Sequence, residues 1–466
     1  MEAFTLQLTA IAHGGAALGR HEGRVVFVPY ALPGETVRAE IVEDKGRYAF
    51  ARLVEVLEPS SDRVAPPCPY FGPTGCGGCH WQHVDYPAQL RFKSEIVTDQ
   101  LARIGGIADP PVRPTLPDGS GWAYRNHAQF HPAPGEGLGF QGALIGRPRG
   151  RGLGAEGRGR GLGAEDRGQG SGAEDQGRGR RTEGRAARPE PALGEDEGQG
   201  RRVVAVEECL VLHPLLSDLY AALDLDLDGL LRLSLRAGTA TGDLMLIFET
   251  EDDLPPALEI DLPVSCVLLL SDGVHVNLIG NNHITEVVAD HTYRVSAPSF
   301  FQVNTPQAAQ LVRLVMGYLD LQGGETVLDA YCGVGLFTTH LAERAGLVVG
   351  VELAPAAVAD LLENTAGLDN VEVIEGPVEA VLPDLDLPLD AAVVDPPRAG
   401  VDRFALDALI ARQPARLVYV SCDPATLARD AKRLARAGYR LVEVQPVDMF
   451  PQTYHVESVA LFVPAK

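Results

Sequence analysis

Strand and helix patterns alternate from about Thr305 to the C-terminus, and such alternation is the signature of an open α/β sheet. Thr305 is expected to cap the first helix, with Pro306 at its first position and AAQLVRLVMGYLD as its body. ETVLDAYCGVGLFTTHLA then reads as a short strand, a glycine turn and an amphipathic helix. Gly333 and Gly335 let the backbone approach a ligand where a side chain would clash. The next strand, LVVGVE, ends in Glu352, 23 residues after Asp329, a placement suited to ribose hydroxyls. There is no third glycine and no arrangement for a pyrophosphate. The turn therefore argues for a nucleoside-type cofactor such as S-adenosylmethionine over NAD.

The strand LDAAVVD ends in Asp395-Pro396-Pro397-Arg398, a rigid turn at the carboxyl end of the sheet, where such sheets bind ligands. ARLVYVS runs straight into Cys422-Asp423-Pro424. Asp423 and Pro424 read as the N-cap and first residue of the helix ATLARDAKRLARAG. Cys422 stands at a strand end, just before a helix N-terminus, a place that favours thiolate over thiol. It is a candidate nucleophile, against the competing reading of a small core residue. Two last strands flank a connection that holds His455 and Glu457. Glu457, at the rim of the same sheet, is a candidate general base or a solvated strand residue.

Ahead of this half, residues 1–58 alternate apolar and polar residues in runs such as TLQLTAIA and RVVFVPY. They predict four or five short antiparallel strands in a small barrel. Residues 135–202 carry a degenerate nine-residue repeat (GRGLGAEGR, GRGLGAEDR, GQGSGAEDQ) with almost no apolar side chain. Such a segment cannot offset its ordering entropy and is expected to be a disordered insertion. Strand-like runs resume after it. The expected division is a barrel at 1–58, a central domain at 59–134 and 203–300, the insertion, and a sheet domain at 301–466.

CPYFGPTGCGGCHWQH places Cys68, Cys76 and Cys79 in a short glycine-rich loop, a strong metal signal. Cys209, just past the insertion, is the best fourth ligand. Spacing alone favours tetrahedral zinc over an iron–sulfur cluster, since both take four thiolates. Seven cysteines in a chain of 466 residues fit a reducing cytosol, and no run is long and apolar enough for a membrane span or signal peptide. A net charge of -23 argues against a general nucleic-acid binder, so any RNA must be gripped by local patches.

The elements CGGC, SFFQVN, DAYCGVG, DPPRAG, SCDPAT and HVES stand here in one order. In that order they resemble the RNA uracil-5 methyltransferase family, the bacterial 5-methyluridine enzymes of ribosomal and transfer RNA. The resemblance covers the chain except the insertion. It implies a Rossmann-like class I methyltransferase domain, a central α+β domain and an OB-like TRAM barrel that binds RNA. It implies a [4Fe-4S] cluster on Cys68, Cys76, Cys79 and Cys209, against the spacing argument for zinc. Gln302, Tyr331, Glu352 and Asp395 match the S-adenosylmethionine contacts, Cys422 the nucleophile and Glu457 the proton acceptor. Members with both barrel and cluster usually act on 23S ribosomal RNA, which is favoured over transfer RNA. A non-catalytic iron–sulfur RNA-binding protein is the rival class. Phe300, Phe301 and Tyr454 are candidates for stacking on a base taken out of its helix.

Overall fold

The computed structural model describes residues 3–135, 137–143 and 202–465; the repeat from Gly150 to Arg185 lies outside them. β1 (Phe4–Ile11), β2 (Ala17–His21), β3 (Arg24–Val28), β4 (Thr36–Asp44) and β5 (Tyr48–Glu58) close a barrel in the order β1-β2-β3-β5-β4. Inward residues alternate along β1, where Leu6 and Leu8 are buried. The expectation of purely antiparallel strands fails at one pair, β3 with β5, which run parallel. An odd number of strands cannot close a ring with every neighbour antiparallel.

Helix α1 (Tyr86–Arg103) follows the cysteine loop and starts with a proline in its first turn. It joins two cores by helical spacing. Phe92 and Ile96 pack with Trp81 against the barrel, and Val97 and Leu101 pack into the C-terminal domain. Residues 110–118 then run beside a C-terminal strand, with bridges from Val112 to Val444 and from Leu116 to Val447. The stretch counted with a central domain on sequence is thus divided among three bodies.

The central sheet contains β6 (His127–Pro132), β7 (Leu138–Gln141), β8 (Val203–Ala205), β9 (Leu230–Ala237), β10 (Leu244–Thr250), β11 (Ser265–Leu269) and β12 (His275–Ile279). Its order is β12-β11-β10-β9-β6-β7-β8, and α2 (Pro214–Ala221) packs on it. β7 falls inside the span assigned to the insertion by composition. Its pairing with β8 shows that ladder hydrogen bonds, which composition does not report, hold it in the sheet. The hairpin β13 (His283–Val288) and β14 (His291–Ser296) belongs by packing to the next domain.

That domain comprises α3 (Thr305–Leu319), β15 (Thr326–Ala330), α4 (Leu336–Ala342), β16 (Leu347–Glu352), α5 (Pro355–Asn364), β17 (Val371–Glu375), α6 (Val378–Asp384), β18 (Ala391–Val394), α7 (Arg403–Arg412), β19 (Arg416–Ser421), α8 (Pro424–Arg436), β20 (Tyr439–Val447) and β21 (Glu457–Pro464). The sheet order is β17-β16-β15-β18-β19-β21-β20. The first five strands are mutually parallel, and β21 enters antiparallel beside β19. Every residue of β18 is buried, as expected for a strand covered on both faces. One face packs α3, α4 and the hairpin; the other packs α6, α7, α8 and α1. The α3 cap is Asn304, one residue before the expected Thr305, and its side chain accepts from Gln307 N at 3.3 Å. Among the described residues no helix is long and apolar enough to cross a membrane.

Candidate active site

Strand register brings the candidate residues to one edge. Ala330 pairs with both Val351 and Val394, and Val394 pairs with Tyr419. Tyr331, Glu352 and Asp395 therefore stand together at the carboxyl ends of β15, β16 and β18. β15 and β18 are the strands between which the winding reverses, the crevice where open sheets bind ligands. On the other side of β18, Ser421 pairs with Ser458, which sets Cys422 opposite Glu457 across β19 and β21.

The turn after β15 is built for close approach. Tyr331 has a φ of 62°, a left-handed conformation that a tyrosine holds only where its surroundings enforce it. Its N–H donates to Val351 O at 2.9 Å. Gly333 has a φ of 56°, and a side chain there would meet nothing within 4 Å, so the turn opens onto free space. Glu352 accepts from Gly333 N at 2.9 Å and from Leu353 N and Ala354 N at 2.8 and 2.7 Å. Asp329 lies wholly buried beneath the turn. Thr338 donates to one of its oxygens at 2.6 Å, and the other has no partner among the described residues. Burial pushes the Asp329 carboxyl up to about 7. The free space at the turn fits a bound nucleoside.

Electrostatics at the catalytic end correct one expectation. Cys422 is half-buried, and burial pushes its thiol up; Glu457 and Asp395 push the same way, and Arg398 opposes them. Burial first, and the neighbouring carboxyl groups after it, thus favour a thiol where position alone favoured a thiolate. Glu457 is 3% exposed and its Oε1 has no partner among the described residues. Burial raises its carboxyl far above the usual range, and Asp395 adds to the rise. Burial pushes Asp395 up to about 7. Asp423 caps α8, accepting from Ala425 N at 2.8 Å and Thr426 N at 3.2 Å, as its sequence position implied.

Gln302 is buried in the segment before α3, where Asn126 of the central domain donates to its carbonyl at 3.1 Å. That segment hangs from Asp360, which accepts from Ser296 N, Ser296 Oγ and Ser299 Oγ at 2.6–2.8 Å. The three aromatic candidates separate. Phe301 is core, Phe300 is 49% exposed, and Tyr454 lies against His80 and His455 with ring centroids 4.5 and 4.4 Å away. Sequence reading missed Arg398 as the cation facing Cys422 and Glu457, although it completes the quoted Asp-Pro-Pro-Arg run. It also missed Lys93 and Asp448, a wholly buried ion pair that holds the connection before Glu457. No local signal marks that pair, since its members lie 355 residues apart.

Cys68, Cys76, Cys79 and Cys209 line one cavity, walled by Phe71, Phe140 and Val206. Gly78 N donates to the Cys76 sulfur at 3.3 Å, Val211 and Leu212 offer backbone N–H groups to Cys209, and Gln82 reaches Cys79. Burial pushes the Cys76 and Cys79 thiols up to about 11 and about 12. Four convergent sulfurs with donors aimed at them fit a bound cationic centre. His80 N and Trp81 N both donate to Gln452 O at 2.9 Å, so this loop is tied to the connection that leads to Glu457.

The barrel reaches the same edge. Its turn carries His13, 3.8 Å from Asp423, and Gly15, whose carbonyl accepts from Trp81 Nε1 at 3.1 Å. Of the six barrel cations, Arg24, Arg38, Lys45 and Arg52 pair with barrel carboxylates.

Comparisons agree with this arrangement. Residues 278–464 match the tRNA (uracil-5-)-methyltransferase family model, and residues 3–54 match the TRAM domain. A Gloeobacter violaceus chain named as an RNA methyltransferase is 35% identical over 98% of this chain and 95% of its own. One from Streptomyces avermitilis, likewise named, is 35% identical over 100% and 99%. The solved Pyrococcus abyssi tRNA (uracil-54, C5)-methyltransferase, in complex with S-adenosyl-L-homocysteine, matches 99% of this chain and 100% of its own. It does so at 25% identity with a TM-score of 0.69. With these matches along its whole length, the chain belongs to the S-adenosylmethionine-dependent RNA uracil methyltransferase family.

Proposed function

We propose that this protein methylates carbon 5 of uridine in 23S ribosomal RNA through a covalent cysteine–uracil intermediate. The observation that carries the reading is the register setting Cys422 opposite Glu457, beside the ligand crevice at Tyr331, Glu352 and Asp395. Gln302, Tyr331, Glu352 and Asp395 would hold S-adenosylmethionine, which supplies the methyl group when bound.

Carbon 5 of uracil is a weak nucleophile. Cys422 gives its proton to solvent water and its thiolate adds to carbon 6, which pushes electron density onto carbon 5, the atom that becomes methylated; the later break of the carbon–sulfur bond returns the thiolate. Glu457 then takes the carbon 5 proton, the carbon–sulfur bond breaks, and the ring regains its double bond. Burial makes Glu457 a stronger base than an exposed carboxylate, and it acts in its ionised form when it takes the carbon 5 proton. Arg398 offsets the negative charge that develops beside both groups.

Cys68, Cys76, Cys79 and Cys209 would hold a [4Fe-4S] cluster, whose part is to order the loop that reaches Gln452. Anaerobically purified protein should then be brown and hold about four irons per chain. One zinc and no iron would reject the cluster. Transfer RNA is the second reading, supported by the whole-chain match to an enzyme named for it. Mapping 5-methyluridine in both RNAs from a deletion strain decides. Loss confined to transfer RNA would overturn the ribosomal assignment, and no loss in either would overturn the activity.

A further inference from the structure

His291 opens β14, and His340 and Glu343 lie at the end of α4, on the side of the domain away from the catalytic edge. Their donor atoms lie within 4.8 Å of one another, and no other group of three such side chains does so among the described residues. His291 Nε2 is 2.9 Å from Glu343 Oε1. The two imidazole rings meet edge to face at 4.2 Å between centroids. His340 is 6% exposed, and its Nε2 has no partner among the described residues. The Val288 backbone hydrogen-bonds the same ring.

A buried polar nitrogen without a partner costs free energy and needs an explanation. An imidazole held through one side by a backbone group, with its other nitrogen unused, is the arrangement of a metal-ligating histidine. The set is two nitrogens and one carboxylate oxygen, which suits zinc-class ions and not calcium or magnesium, which prefer oxygen alone. Side chains of His291 and Glu343 are 26% and 53% exposed, so an ion has a way in from solvent. Asp290, at the hairpin turn, also faces His340 and supplies a further negative charge.

We propose that His291, His340 and Glu343 form a binding site for a zinc-class divalent transition metal. The ion joins the β13–β14 hairpin to α4, the short helix that follows the ligand-binding glycine turn. A hydrogen bond of 2.7 Å between the Tyr293 and Thr339 hydroxyls already links the two elements. The metal would add a second link one helical turn further on, beyond the reach of the catalytic residues.

Cobalt(II) titration of the full chain, purified anaerobically, tests the site. Wild-type protein is expected to bind one equivalent with the weak visible bands of nitrogen and oxygen ligation. His291→Ala, at a half-buried position, and Glu343→Gln, at an exposed one, are expected to lose that equivalent while keeping wild-type iron content. Zinc is expected to raise the melting temperature of the wild type and of neither variant. No visible bands, or bands that persist in both variants, would overturn the site. Intense near-ultraviolet charge-transfer bands alone would place the ion on the cysteines and overturn it equally.

Discussion

Burial raises the thiols of Cys422 and of Cys76, Cys79 and Cys209 in the loop cavity, yet their settings differ in kind. Cys422 sits at the end of the parallel strand β19 and faces three carboxyl groups and one guanidinium. Cys76, Cys79 and Cys209 sit on irregular chain, and backbone and amide donors face them. Carboxyl groups receive protons, so the first setting suits a thiol that must release and regain one during a reaction. Amide donors accept no proton, so the second suits sulfurs kept ionised by a bound cation. On the proposed reading, the same element serves turnover in one place and permanence in the other.

The sharpest way to break this contrast is to remove the sulfurs separately. Cys422→Ala should lower methylation by roughly 10,000-fold or more while leaving iron content and colour untouched. Glu457→Gln should instead stall after addition and methylation, leaving a methyl-labelled RNA–protein band on a denaturing gel that Cys422→Ala lacks. A Glu457→Gln protein that turns over at the wild-type rate would remove the carboxylate from the scheme. Cys79→Ala should strip the iron and lower the melting temperature, with the Cys422 adduct still forming in whatever protein remains folded. If Cys79→Ala kept its iron, the division of roles would collapse.

A second effect concerns the tie between the two settings. Lys93→Met leaves Asp448 charged and buried, a loss of about 3–5 kcal/mol by denaturant unfolding. Because Lys93 also donates to Phe450 O at 3.0 Å, the connection carrying Tyr454 and Glu457 should loosen too.

A subtler test follows pH. Asp395 is raised in the folded protein to about 7, so its contribution favours the protonated fold and is lost as pH rises from about 4 through about 7. Asp395→Asn should therefore raise the melting temperature at pH 8 and leave it unchanged near pH 3. Adduct formation by the wild type should rise with pH, since Cys422 must lose its proton. A flat profile would show that the thiolate is already present. The smallest effect expected is that of Asp423→Ala, about 1 kcal/mol from a lost helix cap, against almost none for Asp423→Asn.

Register explains why the candidate residues could be expected at one edge from the chain alone. Asp395, Cys422 and Glu457 each stand at the end of an apolar strand run, and in a sheet the ends of neighbouring strands meet. Helix α8 was legible for the same reason, since Asp423 and Pro424 state its start. The TRAM barrel showed in its alternation, but the parallel β3–β5 pair follows from closure, which no local pattern contains. Tertiary pairing also hid β7, four residues whose Gly139 and short length read as loop. Arg398 and the Lys93–Asp448 pair were illegible as site elements because their effect depends on partners distant in sequence.

The way the chain leaves and re-enters the central sheet has one more consequence. Gly142 N donates to Arg202 O at 2.8 Å, so the two ends of the long segment between them are already fastened together. Closing a loop costs only about 0.6 kcal/mol more for each doubling of its length. Length at this point is therefore almost free to drift over generations, and a reporter peptide grafted there should be carried without loss of stability. The freedom stops at the root itself. Ala143 N donates to Gly75 O at 2.8 Å and Gly77 N to Gln141 O at 2.9 Å, so trimming even a residue or two past it would pull on the loop that carries Cys76 and Cys79.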